Sequence, residues 1–169
     1  MPHSDGLLDI THGADFVTVS NSFIHNHHKG SLLGHSDSNA DEDTGKLHVT
    51  FANNYWSDLG SRAPSVRFGT VHIFNNYYEK LAVGGVNTRM GAEVLIESTT
   101  FADFAGTTKA VYSQDSDTEG TVTLNDVDLT TGENTAKEGS MTVDYEYTLL
   151  GAAAVKAAVV GTAGATLSL

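Results

Sequence analysis

At 169 residues the chain is long enough for one domain with a substantial core, and 40% hydrophobic against 18% charged residues excludes a charge-swollen disordered segment. With 21 acidic and 9 basic residues the net charge is −12, which argues against the basic face that duplex nucleic acid or an anionic membrane surface requires. The absence of cysteine removes disulfides, thiolate zinc sites and thiol nucleophiles, and no run of about 18 apolar residues is present to span a bilayer.

Residues 1–5 carry neither the basic nor the apolar stretch of a signal peptide, so the signal of an exported protein must lie outside this sequence. From there the chain repeats. Five stretches, 17–23, 49–55, 72–77, 94–101 and 122–129, alternate apolar and polar residues, turn a small polar corner and close on a large apolar residue. The closing residues Phe23, Tyr55, Tyr77, Phe101 and Leu129 fall 32, 22, 24 and 28 positions apart. Period-2 alternation rich in Val, Thr, Ile and Phe predicts strands. No Asn-Gly occurs, and the Asp5-Gly6 pair precedes the first stretch, so the turns of antiparallel hairpins are missing between the runs. About 22 residues suffice for three short strands and three corners, and the pattern predicts a parallel β-helix of about five coils. Asn21, Asn53 and Asn75 recur two residues before the aromatic. They are either a ladder of amides bonded along the stack or simply turn residues. The longest interval carries the polar, acidic segment 36–45, expected as a solvated loop looped out on one side. Beyond Leu129, residues 130–139 read as a loop, 141–150 as an extended tail and 152–160 as the one convincing helix, stopped at Gly161. The predicted organisation is a single domain, 1–169, with coils over 5–129 and a tail and short helix over 130–169.

The chain has three arginines, Arg62, Arg67 and Arg89, all within 28 positions. Arg67 and Arg89 are 22 apart, one minimal coil, which predicts that they stand one above the other at about 4.8 Å. Such a like-charged stack needs an anion, either a carboxylate ligand or internal Asp and Glu partners. Asp5 and Asp9 lie at i and i+4 on a strand, on one face, and repel unless a cation or base sits between them. His25 and His27 share a face with no carboxylate at matched spacing and are expected as solvent or corner residues rather than zinc ligands.

The segments Asp5-Gly-Leu-Leu-Asp9-Ile, Lys29-Gly-Ser-Leu-Leu-Gly-His-Ser-Asp37, Arg62-Ala-Pro-Ser-Val-Arg67 and Asn87-Thr-Arg89 together resemble the pectate lyases of polysaccharide lyase family 1, with fungal-like features in the Ala-rich end. The resemblance runs from about Asp5 to Val127, so Met1 stands in the middle of a recognisable enzyme whose intact members are about twice as long. It implies a right-handed parallel β-helix, a secreted location, and Ca2+-assisted β-elimination of de-esterified polygalacturonate. By motif it implies Arg62 as the catalytic base, Lys29, Arg67 and Arg89 as contacts for substrate carboxylates, and Asp5 and Asp9 as two carboxylates of the calcium site. Free arginine stays protonated to a pKa above about 12, so the expected activity rises above neutral pH.

Two other functions compete with this one. A pectin lyase acting on methyl-esterified polymer would place neutral or basic groups where calcium sits, and Asp5 and Asp9 together with Lys29 argue against it. A non-catalytic polyuronate-binding or structural β-helix fragment is the reading from a different class. Partners other than an acidic polysaccharide are not expected, with one exception. Residues 1–4 are too few to cover the end of a triangular coil, which predicts a homo-oligomer joined through the N-terminal end.

Overall fold

Val17, Val49, Val71, Val94 and Val122 stand in one file across five parallel strands, each the register partner of the next. Alternation puts every second residue inside, so the rows close a core between sheets that wind around it. The computed structural model describes residues 6–114 and 118–167. The first coil holds β1 (Leu8–Ile10), β2 (Val17–Ser20) and β3 (Phe23–Lys29). The second holds β4 (Ser31–Leu33), β5 (His48–Ala52) and β6 (Tyr55–Ser61), and the third β7 (Ser65–Arg67), β8 (Thr70–Phe74) and β9 (Tyr77–Leu81). In the fourth, β10 (Val86–Arg89) is followed by the long β11 (Glu93–Ala102), which pairs with β8 along its first half and β9 along its second. The fifth is β12 (Lys109–Ser113) and β13 (Thr121–Asp128). β1, β4, β7, β10 and β12 form one sheet in that order, and every strand pairing is parallel. A parallel β-helix of five coils is therefore what the repeat pattern produces. Among the described residues no helix is long and apolar enough to cross a membrane.

The corners explain how strands turn without hairpins. Asn21, Asn53, Asn75, Ser98 and Asp126 all have positive φ, between 45° and 57°. Asn and Asp tolerate that left-handed region better than bulkier residues. Asn75 Nδ2 donates to Asn53 Oδ1 at 3.1 Å, so the expected amide ladder exists between those two rungs. A second ladder lies one residue on, in the interior. Ser22 N donates to Asn54 Oδ1 at 2.9 Å and Asn54 N to Asn76 Oδ1 at 3.2 Å. Asn76 is fully buried, and its Nδ2 donates to the carbonyls of Phe51 and Phe74, both at 2.7 Å.

Three expectations need correction. Phe101 pairs with Tyr78 rather than Tyr77, because β11 places one more residue between its corner and its aromatic. It therefore joins the interior stack Trp56–Tyr78–Phe101, whereas Phe23, Tyr55 and Tyr77 stack on the outside. The acidic segment is not simply solvated. It forms a short helix, α1 (Ala40–Asp43), in which Asp43 is fully buried and accepts bonds from Gly13 N at 2.8 Å and Asn39 Nδ2 at 3.0 Å. Nor is 130–139 only a loop. β14 (Glu133–Asn134) pairs with β12 and β15 (Lys137–Glu138) with β13, which begins a further coil. The helix appears as expected as α2 (Ala152–Val159), with Val155 and Val159 packed on the buried Tyr77. Its first amides are satisfied from the corners, Gly151 N by Ser98 Oγ and Ala152 N by Asp126 Oδ2.

The tail 141–150 is fastened to the outer face of β8 and β11 by a polar cluster. Glu97 accepts bonds from Tyr147 OH at 2.5 Å and Asn125 Nδ2 at 2.8 Å, and pairs with His72 Nε2 at 3.0 Å. Tyr145 OH lies 2.5 Å from His72 Nδ1. Burial holds His72 below its ordinary value, so the ring is neutral, donating to Glu97 through Nε2 and accepting from Tyr145 through Nδ1. Burial alone would raise the Glu97 carboxyl, but the bonds from Tyr147, Asn125 and His72 outweigh it and hold the group below its ordinary value. The Tyr147 phenol, bonded to that carboxylate, is pushed up to about 12. The neutral imidazole stabilises the fold above its ordinary 6.5 and the ionised carboxylate above its ordinary 4.5. Both contributions are lost as pH falls through those groups' lower folded values. Acidification from neutral pH should therefore release the tail before the coils, seen as faster amide hydrogen exchange over 141–150 than in β8. Equal protection of the tail at neutral and acid pH would contradict this.

Candidate functional site

All three arginines line one cavity of about 200 Å³, together with Ser61, Ser65, Asn87, Tyr112 and Gln114. The chain brings them there by register. Arg67 at the end of β7 is the Cα partner of Arg89 at the end of β10, so the predicted stack is present. Ser65 and Asn87, also partners, sit two residues earlier and face the same side. Ser65 Oγ donates to Asn87 Oδ1 at 2.9 Å. Arg62 enters from the corner between β6 and β7, with φ at +61°.

Lys29 ends β3 and is the partner of Ser61 at the end of β6, which places it one rung from Arg62. The two corners touch through backbone. Gly30 N donates to Ser61 O at 2.9 Å and Ser31 N to Arg62 O at 2.7 Å. A Cβ on Gly30 would stand 2.5 Å from Arg62 O, so only glycine lets these corners stack this closely. Lys29 is not among the residues lining the arginine cavity.

Asp9 is exposed on β1, opposite Leu32, and Leu32 is opposite Ser65. It therefore lies two strands, roughly 10 Å, up the same sheet from the arginine cavity. Its Oδ1 accepts from Leu32 N at 3.0 Å. Asp5, the other carboxylate of the pair, lies outside the described residues. Among the described residues no three His, Cys, Asp or Glu side chains converge as a metal centre, so Asp9 alone does not make a calcium cage.

The arginine pair already has an internal anion. Asp37, in the loop after β4, accepts from Arg67 Nε through Oδ1 and from Arg89 Nη2 through Oδ2, the latter at 2.5 Å. Gly34 O takes Arg67 Nη1 at 2.9 Å. The hydrogen bond from Arg67, reinforced by the charge of Arg89, holds the Asp37 carboxyl below the usual carboxylate range. Burial pushes the Tyr112 phenol up against the opposing charges of Arg62 and Arg89. Sequence reasoning missed the contributions of Tyr112, Gln114 and Asp37. The need of Arg67 and Arg89 for an anion was the signal that could have found Asp37.

A right-handed parallel β-helix with a basic, polar cavity on one sheet is the class that fold and site define. The pectate lyase family model matches residues 2–168, and the chain belongs to that family. It is 63% identical to pectate lyase B of Colletotrichum gloeosporioides and 59% identical to pectate lyase A of Aspergillus niger, each over 97% of this chain and 49% of the relative. The chain thus spans about half the length of the curated relatives it matches. A pectate lyase from a Bacillus species, solved in complex with trigalacturonate, superposes with a TM-score of 0.85 at 28% identity, covering 96% of this chain and 53% of that one. Pectate lyase II from Xanthomonas campestris gives 0.78 at 30% identity over the same shares.

Proposed function

We propose that the chain 1–169 acts as one unit, in an extracellular setting, to cleave polygalacturonate by β-elimination into 4,5-unsaturated oligogalacturonides. The observation that carries this reading is the convergence of Arg62, Arg67 and Arg89 on one cavity, with Lys29 on the adjoining corner. A uronate carboxylate held by Arg67 and Lys29 loses much of its charge, and the C5 proton beside it becomes more acidic. Arg62, in its neutral form, takes that proton. The C5 electron pair forms the C4–C5 double bond, the C4–O bond breaks, and the departing oxygen takes a proton from solvent. Fixed cations around the carboxylate stabilise the charge that develops there. Arg89 contacts a further substrate carboxylate.

Calcium, bound through Asp5 and Asp9, would add positive charge at the same carboxylate. The described donor set amounts to one protein carboxylate, so most of the six to eight oxygens calcium takes must come from uronate and water. No step above depends on the ion. Calorimetry should show weak calcium binding to the free protein, strengthened by trigalacturonate. Tight binding without substrate would contradict that.

The test of function is ultraviolet absorbance of unsaturated uronate on polygalacturonate, with calcium and with chelator. The proposal predicts product that grows with calcium and with rising pH. The link from Asp37 to Arg67 and Arg89 favours a second reading, a non-catalytic polyuronate-binding module. That reading predicts affinity for trigalacturonate and no absorbance change. Self-association through the first coil is a further proposal, and a stable 17.9 kDa species by sedimentation at micromolar concentration would overturn it.

A further inference from the structure

Arg67 and Arg89 are register partners on adjacent strands, so their backbones stand about 4.8 Å apart. Both side chains are only 13% exposed, while Asp37 is 46% exposed on its loop. An exposed ion pair is ordinarily worth little, but here the arginines are largely covered and Asp37 is the carboxylate that links them. Its two oxygens are divided, one to each guanidinium, and Gly34 O fixes a second edge of Arg67. Each guanidinium has five N–H donors. Asp37 and Gly34 take two from Arg67, and Asp37 takes one from Arg89, whose Nε is buried without a partner. The tie therefore engages only part of each fork, and both arginines still line the cavity that an incoming anion would enter.

We propose that Asp37 is a positioning residue, which holds Arg67 and Arg89 as one preformed basic pair, each guanidinium fixed for its own substrate carboxylate. Toward substrate, this role rests on the polyuronate reading above. A fork fixed in advance loses less freedom when it binds and keeps the uronate aligned in the transition state. Charge and geometry then act in opposite directions in Asp37→Asn. The neutral side chain removes a negative charge, so ground-state attraction for a polyanion is kept or strengthened. The forks separate, so turnover falls. A carboxylate with a merely structural role would lower stability without touching the arginines selectively.

Because the chain has three arginines, its Nε–H resonances can be followed one by one, assigned with Arg62→Lys, Arg67→Lys and Arg89→Lys. Asp37→Asn should shift or broaden the Arg67 and Arg89 signals and leave Arg62 in place, while Asp37→Glu keeps the Arg67 signal shifted as in the native chain. At equal folded fraction, kcat of Asp37→Asn on polygalacturonate should fall about tenfold or more with KM not raised. Unmoved Arg67 and Arg89 signals in Asp37→Asn overturn the proposal, as does an unchanged kcat. The same spectra separate this from the functional reading. If trigalacturonate leaves the native Arg67 and Arg89 signals unmoved, the polyuronate reading fails and Asp37's role toward substrate fails with it, while the tie is judged by the Asn variant alone.

Discussion

Arg62→Lys should lower the rate of unsaturated product formation by roughly 10²–10⁴-fold, the range that a positioned general base contributes. The substitution keeps a cation and a long side chain, so gross electrostatics of the cavity are preserved. It changes the group that must accept the C5 proton, and a compact ammonium does not reproduce the planar reach of a guanidinium. The backbone role of the position is kept. Arg62 O accepts from Ser31 N whatever side chain follows, and the +61° φ is no harder for lysine than for arginine. The thermal midpoint should therefore move little, since a substitution outside the core usually costs within about 0.5 kcal/mol. Native rates in the variant would remove Arg62 from the chemistry. A large loss of stability would show that the corner, not the base, had been damaged.

Trp56→Ala should cost about 3–5 kcal/mol of stability, a large share of what a domain of this size has. Trp56 is fully buried in the interior row, stacked on Tyr78 at 5.5 Å between centroids and packed edge-on to Phe51 at 5.4 Å. Its Nε1 donates to Asn76 Oδ1 at 3.2 Å. Truncation would open a void in the middle of the stack, which coils fixed by register on both sides cannot collapse to fill. It would also remove one of the two donors to Asn76 Oδ1, the other being Asn54 N. The unfolding midpoint in urea should fall with little change of slope. A loss below about 1 kcal/mol would mean that the coils relax around the void.

The coil was legible because the strand period is short and local. Val, Thr and Ile alternate within a few residues, and the arginine separation equals one coil, so a one-dimensional reading gave the Arg67–Arg89 stack. What failed depended on partners far away in sequence. Phe101 slipped by one because its corner is Ser98, not asparagine, and only pairing with Tyr78 fixes its side. Asn54 and Asn76, each following a corner asparagine, carry the interior ladder. Nothing local distinguishes an amide that faces inward from one that faces out. Asp43 sat in an acidic run that reads as solvated, yet Gly13, thirty residues earlier, buries its bond. The candidate site was legible from the family resemblance and the arginine spacing. Asp37 closes one of the segments that carry the resemblance, but its role was not legible, since its two partners lie 30 and 52 residues downstream.

Elimination leaves a specific mass signature. No water is added, so the masses of the two products sum to that of the substrate, with the unsaturated fragment one water lighter than its hydrolytic counterpart. Mass spectrometry of a defined oligogalacturonate incubated with the native chain in calcium therefore tests the central claim most directly. The expected result is an unsaturated fragment that forms roughly 10²–10⁴-fold more slowly in Arg62→Lys and is diminished by chelator. Intact substrate, or fragments that have gained water, would contradict it.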